Sequence, residues 1–308
     1  MNKCLLTYTP IETGHYSPES IRKLAPALTD LSPLPMDAAS LRFEALARAD
    51  KMSIQGVQSK LSAKLSIKEH CFEIVDKDGR YILKPQSNLY PQLPENEDLS
   101  MHLAGLAKIE VPLHGLVYAK DNSLIYFIKR FDRKGQKEKV PTEDFAQLSG
   151  HTRETKYRSS MEQVAGILDE YCSFPLLEKQ KLFERTIFNF LIGNEDMHLK
   201  NFSLITIDGI TKLSPAYDLL NTSIVLRSPE EIALPLKGKK SKLTKVQLTY
   251  YFAQERLELT PKVTSNVLER FHAILPVWRD WIGRSFLGEE FRERYLDLLS
   301  VRERILFQ

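Results

Sequence analysis

The sequence predicts an α+β fold with two lobes, the first rich in β-strands and the second α-helical. Up to residue 128, short apolar stretches alternate with turn residues, as in antiparallel sheets. A charged loop at 133–139 follows, and beyond it the apolar residues recur at helical spacing. We therefore expect an N-lobe at residues 1–132 and a helical C-lobe at residues 133–308.

The composition is that of an ordinary globular protein. The chain has 308 residues, of which 43% are hydrophobic and 27% are charged, and its net charge is +3. This charge is too small to require a nucleic-acid partner. No apolar run is long enough for a membrane span or a signal peptide, and the three cysteines have no paired spacing. We expect a cytoplasmic protein with reduced thiols and no membrane contact.

The predicted N-lobe starts with a proline-rich segment and continues as a helix, an antiparallel sheet and a second helix. Asp78-Gly79 is a strong hairpin signal between two strands, and Pro85 ends the second of them. The predicted elements are a helix at 38–47, strands at 61–65, 71–75, 80–84, 115–118 and 123–128, and a helix at 95–109.

The predicted C-lobe is helical apart from one hairpin. Apolar residues at helical spacing predict its helices, and Asp208-Gly209 marks the hairpin turn. The predicted elements are helices at 145–148, 161–168 and 176–191, strands at 202–206 and 210–213, and a helical tail from 261 to 307.

The most informative residues of the chain lie on either side of that hairpin. Asp196 and Asn201 stand five residues apart before it, and Asp218 follows it. An Asp, four residues, an Asn and then a second Asp is the order that protein kinases use for phosphoryl transfer. There the first Asp accepts the proton of the substrate hydroxyl, and the other two residues hold magnesium against the ATP phosphates. The order predicts a bilobal, protein-kinase-like fold.

A structural interpretation of the same residues is also open. Asn194 and Asp196 follow a long apolar helix that ends at Gly193, where capping residues are common. His198 would then be a hydrogen-bonded histidine of the core. Asp218 favours the chemical interpretation, because it lies at the end of a two-stranded ribbon, where a magnesium aspartate belongs.

A kinase also needs a lysine on the ATP phosphates and an acidic residue that orients this lysine. Lys84 ends a predicted strand, and Glu97 follows 13 residues later near the start of a helix. Each has a plainer explanation, since strand-end lysines are often solvated and acidic residues favour helix N-termini. Their order relative to Asp196 makes them candidates.

Two further segments each allow a functional and a structural interpretation. The loop Ser53–Ser59 has one glycine, and its backbone amides could cradle a phosphate or form a plain loop before a strand. The basic run Lys237–Lys242 is typical of a solvated loop, with a contact to DNA phosphates or an acidic partner as the alternative. The sequence has no Ser-His-Asp elbow, HExxH or CxxC motif, so hydrolase and zinc chemistry lack support.

Together these motifs resemble those of the HipA-type serine/threonine kinase toxins of bacterial toxin–antitoxin systems. The similarity extends from about Ser53 to the C-terminus. Longer relatives begin with an additional small subdomain that we do not expect here, so the chain resembles the short form (HipT-like). The most specific matching segments are 193–203 and 213–220, and the supporting ones are 53–61, 81–85, 96–97, 129–133 and 143–147.

The resemblance implies a role for each candidate residue. Asp196 would be the catalytic base, Asn201 and Asp218 would bind Mg²⁺, and Lys84 with Glu97 would serve the ATP phosphates. Relatives often carry an acidic residue at the position of Lys129, so we expect its backbone to contact the adenine. The other nucleotide contacts would come from Gly56, Val57, Gln58 and Ser59 in the loop, Phe131 beside the adenine, Gln147 near the ribose, and His198 and Asn201 near the phosphates.

The resemblance also implies regulation by autophosphorylation. Ser53 matches the serine that such kinases phosphorylate on themselves, and Ser59 is a second candidate in the same loop. A phosphate adds roughly −1.5 to −2 charge. It would repel ATP or pull the loop out of the cleft, and so switch the enzyme off.

The implied substrate is a protein serine, and aminoacyl-tRNA synthetases are among the family's substrates, so translation and growth would stop. The implied partners are a small protein equivalent to the extra subdomain and a helix-turn-helix antitoxin, through which DNA would be contacted indirectly. Two other functions stay open. One is a catalytically weak kinase-fold scaffold for an antitoxin–DNA complex, and the other is a kinase of small molecules or lipid headgroups.

Overall fold

The computed structural model describes residues 2–48, 58–135, 138–226 and 229–308. The chain forms two compact units, each drawn from three segments. Unit 1 comprises Met1–Leu99, Pro112–Glu138 and Arg284–Leu287, and unit 2 comprises Ser100–Val111, Lys139–Gly283 and Gly288–Gln308. The sequence predicted two continuous lobes that meet at residue 132, whereas each compact unit is drawn from three segments. The lobe boundary therefore stays a prediction.

Unit 1 is built around a five-stranded antiparallel sheet. Its elements are β1 (Asn2–Lys3), β2 (Pro10–Ile11), α1 (Pro18–Leu24), α2 (Ala38–Arg48), β3 (Leu61–Ser66), β4 (Cys71–Ile74), β5 (Tyr81–Lys84), the start of α3 (Leu93–Leu106), β6 (His114–Tyr118), β7 (Leu124–Lys129) and β8 (Arg133–Lys134). The sheet has the order β4-β3-β5-β7-β6. All five strands predicted from the sequence are confirmed, with small shifts at their ends.

Strand β5 lies at the centre of this sheet and carries Lys84 at its end. It pairs with β3 on one side and with β7 on the other. The ring of Phe72 packs against Tyr81 and Phe127, with centroids 5.0 and 4.9 Å away. Buried aromatic rings and two neighbouring strands therefore fix the position of β5.

Unit 2 is mainly helical. Its elements are the rest of α3, β9 (Glu138–Lys139) at the division between the units, β10 (Thr142–Asp144), α4 (Phe145–Leu148), α5 (Met161–Tyr171), α6 (Pro175–Ile192), a 3₁₀ turn (Leu199–Asn201), β11 (Ser203–Ile207), β12 (Ile210–Leu213), a π-helical segment (Gln247–Arg256), α7 (Pro261–Gly283) and α8 (Glu289–Phe307). Strands β10, β11 and β12 form an antiparallel sheet. The predicted helices and hairpin are confirmed.

Helix α6 forms the core of unit 2. From Leu182 to Ile192 every residue is buried. Phe188 packs edge-on against Trp278 of α7, with centroids 5.5 Å apart. Helix α6 is therefore buried on all sides, as a helix at the centre of a domain is, and its buried surface also includes the charged Glu184 and Arg185.

Two expectations drawn from composition can be compared with the structure. Cys4, Cys71 and Cys172 are all free, as predicted. Among the described residues, no helix combines the length and the apolar character that crossing a bilayer requires.

Gly193 ends α6 in the left-handed region, with φ 71° and ψ 40°. A Cβ atom here would press against Cδ2 of Leu298 and lie 2.7 Å from Oγ of Ser223. The Gly193 carbonyl oxygen accepts hydrogen bonds from the backbone N–H groups of Thr222 and Ser223. Both the backbone conformation and the lack of space require glycine at the point where the polar segment 194–201 begins.

Replacing Gly193 by Ala should lower the free energy of unfolding by about 2–4 kcal/mol, because left-handed strain adds to overpacking. Gly209→Ala is the matched control, since Gly209 has φ 78° and no neighbouring atom within 4 Å of an added Cβ. The control should lose only about 1–2 kcal/mol. Urea denaturation of both variants measures the difference, and equal losses would contradict the packing argument.

Candidate active site

In unit 1, Lys84 and Glu97 form a buried ion pair. The Nζ atom lies 2.5 Å from Oε1 of Glu97, and the two side chains are 2% and 1% exposed. The ammonium group also lies 5.5 Å from the ring centroid of Tyr126. Lys84 is therefore not a solvated strand-end lysine. The arrangement holds a cation at the end of the central strand and orients it with a carboxylate.

The other acidic residues at the start of α3 have partners of their own. Glu95 accepts two hydrogen bonds of 2.8 Å from Gln86. Burial raises the pKa of Glu95 to about 7, although the bonds from Gln86 act in the opposite direction. Asp98 accepts hydrogen bonds from Tyr8 and His114. Since each carboxylate has a specific side-chain partner, a general attraction to the helix N-terminus does not explain Glu97.

The segment predicted to contact adenine is held by an arginine–aspartate cluster. Between Lys129 and Phe131, Arg130 binds Asp132 through two hydrogen bonds of 2.9 and 2.7 Å. Burial alone would raise the pKa of Asp132, but the hydrogen bond and charge of Arg130 and the charge of Arg133 lower it overall. The segment is thus locally fixed, and its contact with adenine stays a prediction.

The predicted phosphate loop is described only in part. Ser53, Gly56 and Val57 lie outside the described residues, whereas Gln58 and Ser59 lie within them. The Nε2 atom of Gln58 is buried and has no hydrogen-bond partner among the described residues. A buried amide donor in this position fits a phosphate oxygen.

In unit 2, Asn194 connects the end of α6 to Asp196. Its amide Nδ2 donates to Oδ1 of Asn189 at 3.1 Å, and its Oδ1 accepts from the Asp196 backbone N–H at 3.2 Å. The structural interpretation is therefore right for Asn194. The Asp196 side chain is 44% exposed and lies 3.9 Å from Nε2 of His198. Asp196 thus presents a carboxylate that an incoming group can reach.

Asn201 lies in the 3₁₀ turn and faces the same segment. Its Nδ2 donates to the backbone oxygen of Asp196 at 2.8 Å. This bond uses the nitrogen of the amide and leaves the amide oxygen as the atom that could bind a cation. The donor chemistry fits Mg²⁺, which prefers oxygen ligands.

His198 is 5% exposed and neutral at pH 7. Burial and the charge of Lys156 lower its pKa to about 4, although Asp196 and Asp218 oppose this change. Lys156 Nζ lies 2.7 Å from Nε2, so the neutral ring accepts there and carries its proton on Nδ1. Nδ1 is buried without a partner in the part of the chain that the structure describes. It is a donor suited to a phosphate oxygen.

Asp218 has φ 53°, an uncommon left-handed conformation for an aspartate. The preceding Tyr217 is fixed by hydrogen bonds to Ser203 and to the backbone oxygen of Lys200. Asp218 and Asp196 both act electrostatically on His198. In unit 2 the charges of both carboxylates therefore act on one imidazole, and Asn201 bonds to the backbone of Asp196.

Gln147 has a structural role that the sequence did not indicate. It forms a capping box with Asp144, in which each backbone N–H donates to the other side chain at 2.9 Å. Asp144 also binds Lys200 at 2.8 Å. A ribose contact through the remaining amide nitrogen of Gln147 stays a prediction.

Sequence reasoning missed Tyr157, whose phenolic hydroxyl donates a hydrogen bond to Oδ1 of Asp196. Burial and the hydrogen bond and charge of Asp196 raise the pKa of Tyr157 well above its usual range. No motif could have revealed this contact, because 39 residues separate the two side chains.

The basic run forms a surface turn in unit 2. Leu236 pairs with Lys239 in an isolated bridge. Lys237 lies 4.7 Å from the ring centroid of Tyr251, and Lys240 lies 3.4 Å from Glu230. Part of the charge thus has partners within the unit, as expected for a solvated loop. The DNA alternative stays a hypothesis.

Comparison with known proteins identifies relatives. The family model of the HipA-like C-terminal domain matches residues 52–278. A Haemophilus influenzae protein named "Putative kinase" is 32% identical, over 78% of this chain and 75% of the relative. A Sinorhizobium fredii protein with a similar name is also 32% identical, over 78% and 63%. The serine/threonine-protein kinase toxin HipA of Shewanella oneidensis is 24% identical, over 60% and 47%.

Two solved structures share the fold. Shewanella oneidensis HipA, in complex with HipB and operator DNA, has a TM-score of 0.70 and 22% identity, over 89% of this chain and 72% of that one. The Helicobacter pylori proinflammatory kinase CtkA has a TM-score of 0.53 and 16% identity, over 73% and 86%. The predicted kinase-like α+β fold is confirmed.

The first prediction from this site concerns the buried ion pair. Lys84→Met should lower the free energy of unfolding by about 3–5 kcal/mol, because it removes the cation that pairs with the buried Glu97 carboxylate. The double variant Lys84→Met/Glu97→Leu should regain most of this loss, since neither charge of the pair remains. Urea denaturation of the parent, the two single variants and the double variant measures the four free energies of unfolding that make up this double-mutant cycle. A double variant as unstable as Lys84→Met would contradict the pairing.

The second prediction concerns the pH dependence that His198 confers. Its folded pKa of about 4 lies below the ordinary value of 6.5, so the unfolded chain takes up the proton first as the pH falls. His198 should therefore destabilise the fold progressively from pH 6.5 down to pH 4, relative to His198→Gln. The difference in free energy of unfolding between the parent and His198→Gln should be constant above pH 7. Parallel denaturation curves measure it, and a difference that does not change with pH would refute the buried, neutral imidazole.

Proposed function

Because this chain belongs to the family of HipA-like C-terminal domains, we propose that it is an ATP- and Mg²⁺-dependent kinase that phosphorylates protein serines. The observations that support the proposal are the hydrogen bond from Asn201 to the Asp196 backbone and the action of the Asp196 and Asp218 charges on His198, all in unit 2. Phosphoryl transfer depends on positioning and on neutralising charge, and these residues supply oxygen ligands and a base.

Asp196 is the catalytic base. It accepts the proton of the acceptor hydroxyl as the bond from that oxygen to the γ-phosphorus forms and ADP leaves. Its partly exposed carboxylate is open to a protein substrate. Asn194 and Asn201 hold the backbone of Asp196 from two sides, and so fix the direction of the carboxylate.

Asn201 and Asp218 are the magnesium ligands, and the ion, when bound, neutralises charge on the phosphate oxygens. The hydrogen bond from Asn201 to the Asp196 backbone keeps its amide oxygen oriented. The left-handed backbone of Asp218 fixes the direction from which its carboxylate arrives. Both ligands are therefore oriented by contacts within unit 2.

Lys84, His198 and Gln58 are the donors to the phosphates. Lys84 supplies a charge oriented by Glu97, whereas His198 supplies a neutral Nδ1–H group. The backbone at Lys129 and the ring of Phe131 serve the adenine, and Gln147 serves the ribose. Gly56, Val57 and Ser59 complete the phosphate loop.

We further propose that the chain acts as a growth-arrest toxin restrained by autophosphorylation on Ser53 or Ser59. The name of the Shewanella oneidensis relative supports the toxin activity, and its complex with HipB and operator DNA supports an antitoxin partner. An aminoacyl-tRNA synthetase would be the substrate. A helix-turn-helix antitoxin, aided by a small subdomain-like protein, would connect the chain to DNA.

Asp196→Asn should lower phosphate transfer from Mg·ATP by about 10²–10⁴-fold, because the general base is lost. ATP affinity, measured by calorimetry, should change little. Mass spectrometry should find phosphate on Ser53 or Ser59 in the parent and not in the variant. Asp208→Asn is the control, since Asp208 lies in the β11–β12 turn with φ 51°, a conformation that Asn also tolerates.

Undiminished transfer by Asp196→Asn would remove Asp196 from the mechanism. A parent protein that neither transfers phosphate nor binds ATP tightly would instead favour the scaffold alternative.

A further inference from the structure

Tyr157 is held against the predicted catalytic base by several contacts within unit 2. Its hydroxyl donates to Oδ1 of Asp196. Its ring meets the His198 ring edge-to-face, with centroids 4.9 Å apart and an interplanar angle of 86°. Lys156 Nζ lies 5.0 Å from the centroid of the same ring and 2.7 Å from Nε2 of His198. The two adjacent residues thus hold both Asp196 and His198.

The segment that carries Tyr157, between α4 and α5, is fixed by backbone hydrogen bonds. The Leu199 N–H donates to the Lys156 carbonyl at 3.3 Å, which joins the segment to the 3₁₀ turn. The Arg158 N–H donates to the Thr155 carbonyl at 2.7 Å. Ser160 then caps α5. The path of the chain therefore fixes the backbone of Tyr157, and the rotation of its side chain places the hydroxyl at Asp196.

We propose that the Tyr157 hydroxyl occupies the acceptor position of the resting kinase, so that a substrate hydroxyl must displace it to reach Asp196. This inference rests on the proposed function. A general base takes a proton from a hydroxyl that donates a hydrogen bond to it. The phenol already makes this contact, and it therefore competes with the serine of a substrate.

The surroundings of Tyr157 make it a persistent but displaceable occupant. Burial and Asp196, with a further contribution from Glu230, keep the phenol protonated and hence a donor. The Tyr157 residue is 42% exposed and the Asp196 side chain 44% exposed. Rotation of a half-exposed side chain is enough to free Asp196, and no core packing has to open.

The proposal gives Lys156 a positioning role. Its ammonium group lies close to both the Tyr157 ring and the His198 imidazole. It therefore keeps the ring near the site when the hydroxyl is displaced. Release of the acceptor position is then a local movement that leaves the donor on His198 in place.

Tyr157→Phe tests the proposal, because it keeps the ring contacts and removes the hydroxyl. With dephosphorylated casein as the probe acceptor, the KM for casein should fall about 3–10-fold, the range expected for losing one competing hydrogen bond. The KM for ATP and the kcat should not fall. Tyr251→Phe is the matched control, since Tyr251 donates to Glu162 at 3.0 Å and has Lys237 over its ring. The control should leave all three constants unchanged.

The outcomes separate this proposal from the proposed function. Transfer by the parent and by Tyr157→Phe with equal KM for casein would overturn this proposal alone. A lower kcat with unchanged KM would also overturn it, because the hydroxyl would then orient the base. Phosphate on Tyr157 itself, found by mass spectrometry, would overturn the proposal, because Tyr157 would then be a substrate of the kinase and not a competitor of the substrate. Absence of transfer by both proteins would overturn the proposed function together with this inference.

Discussion

Helix α6 supports both halves of the proposed phosphoryl-transfer site in unit 2. Its C-terminal end at Gly193 leads directly into Asp196. Along its side, the buried Arg185 guanidinium donates to the Ser214 carbonyl, and Glu178 accepts from the Leu213 N–H at 3.0 Å. Burial lowers the pKa of Arg185 to about 10, so the group stays cationic at neutral pH. One buried helix thus positions the proposed base and the strand end that leads to Asp218.

The charges of the site follow from what unit 2 buries and what it leaves exposed. His198 is buried and neutral, although the charges of Asp196 and Asp218 both favour its protonated form. A protonated imidazole would attract these carboxylates and compete with any cation for them. Burial is the main reason that the ring stays neutral, and the Lys156 ammonium group at Nε2 further disfavours a second positive charge. Burial and a neighbouring cation therefore keep the imidazole uncharged, and it can still donate a hydrogen bond.

Much of the fold could be predicted because its signals are local, such as Asp-Gly turns and apolar periodicity. Helix α1 was not predicted, because it lies in the proline-rich segment at the start of the chain. Proline suits the first helical position, and Ser17 caps the helix. Asp196, Asn201 and Asp218 could be proposed from the sequence because their order along the chain is itself the signal. The contact of Tyr157 with Asp196 could not be found, since only the tertiary fold brings the two segments together.

The hydrogen bonds to the Gly193 carbonyl affect how the proposed catalytic centre could diversify. This carbonyl accepts hydrogen bonds from the N–H and hydroxyl groups of both Thr222 and Ser223. The Thr222 hydroxyl in turn accepts from the Glu195 N–H at 2.7 Å. Substitutions in this network would disturb several peptide groups at once. Lys156 and Tyr157 lie outside it, in the segment between α4 and α5. A preference for new acceptors could therefore evolve through that segment while the network around Gly193 stays the same.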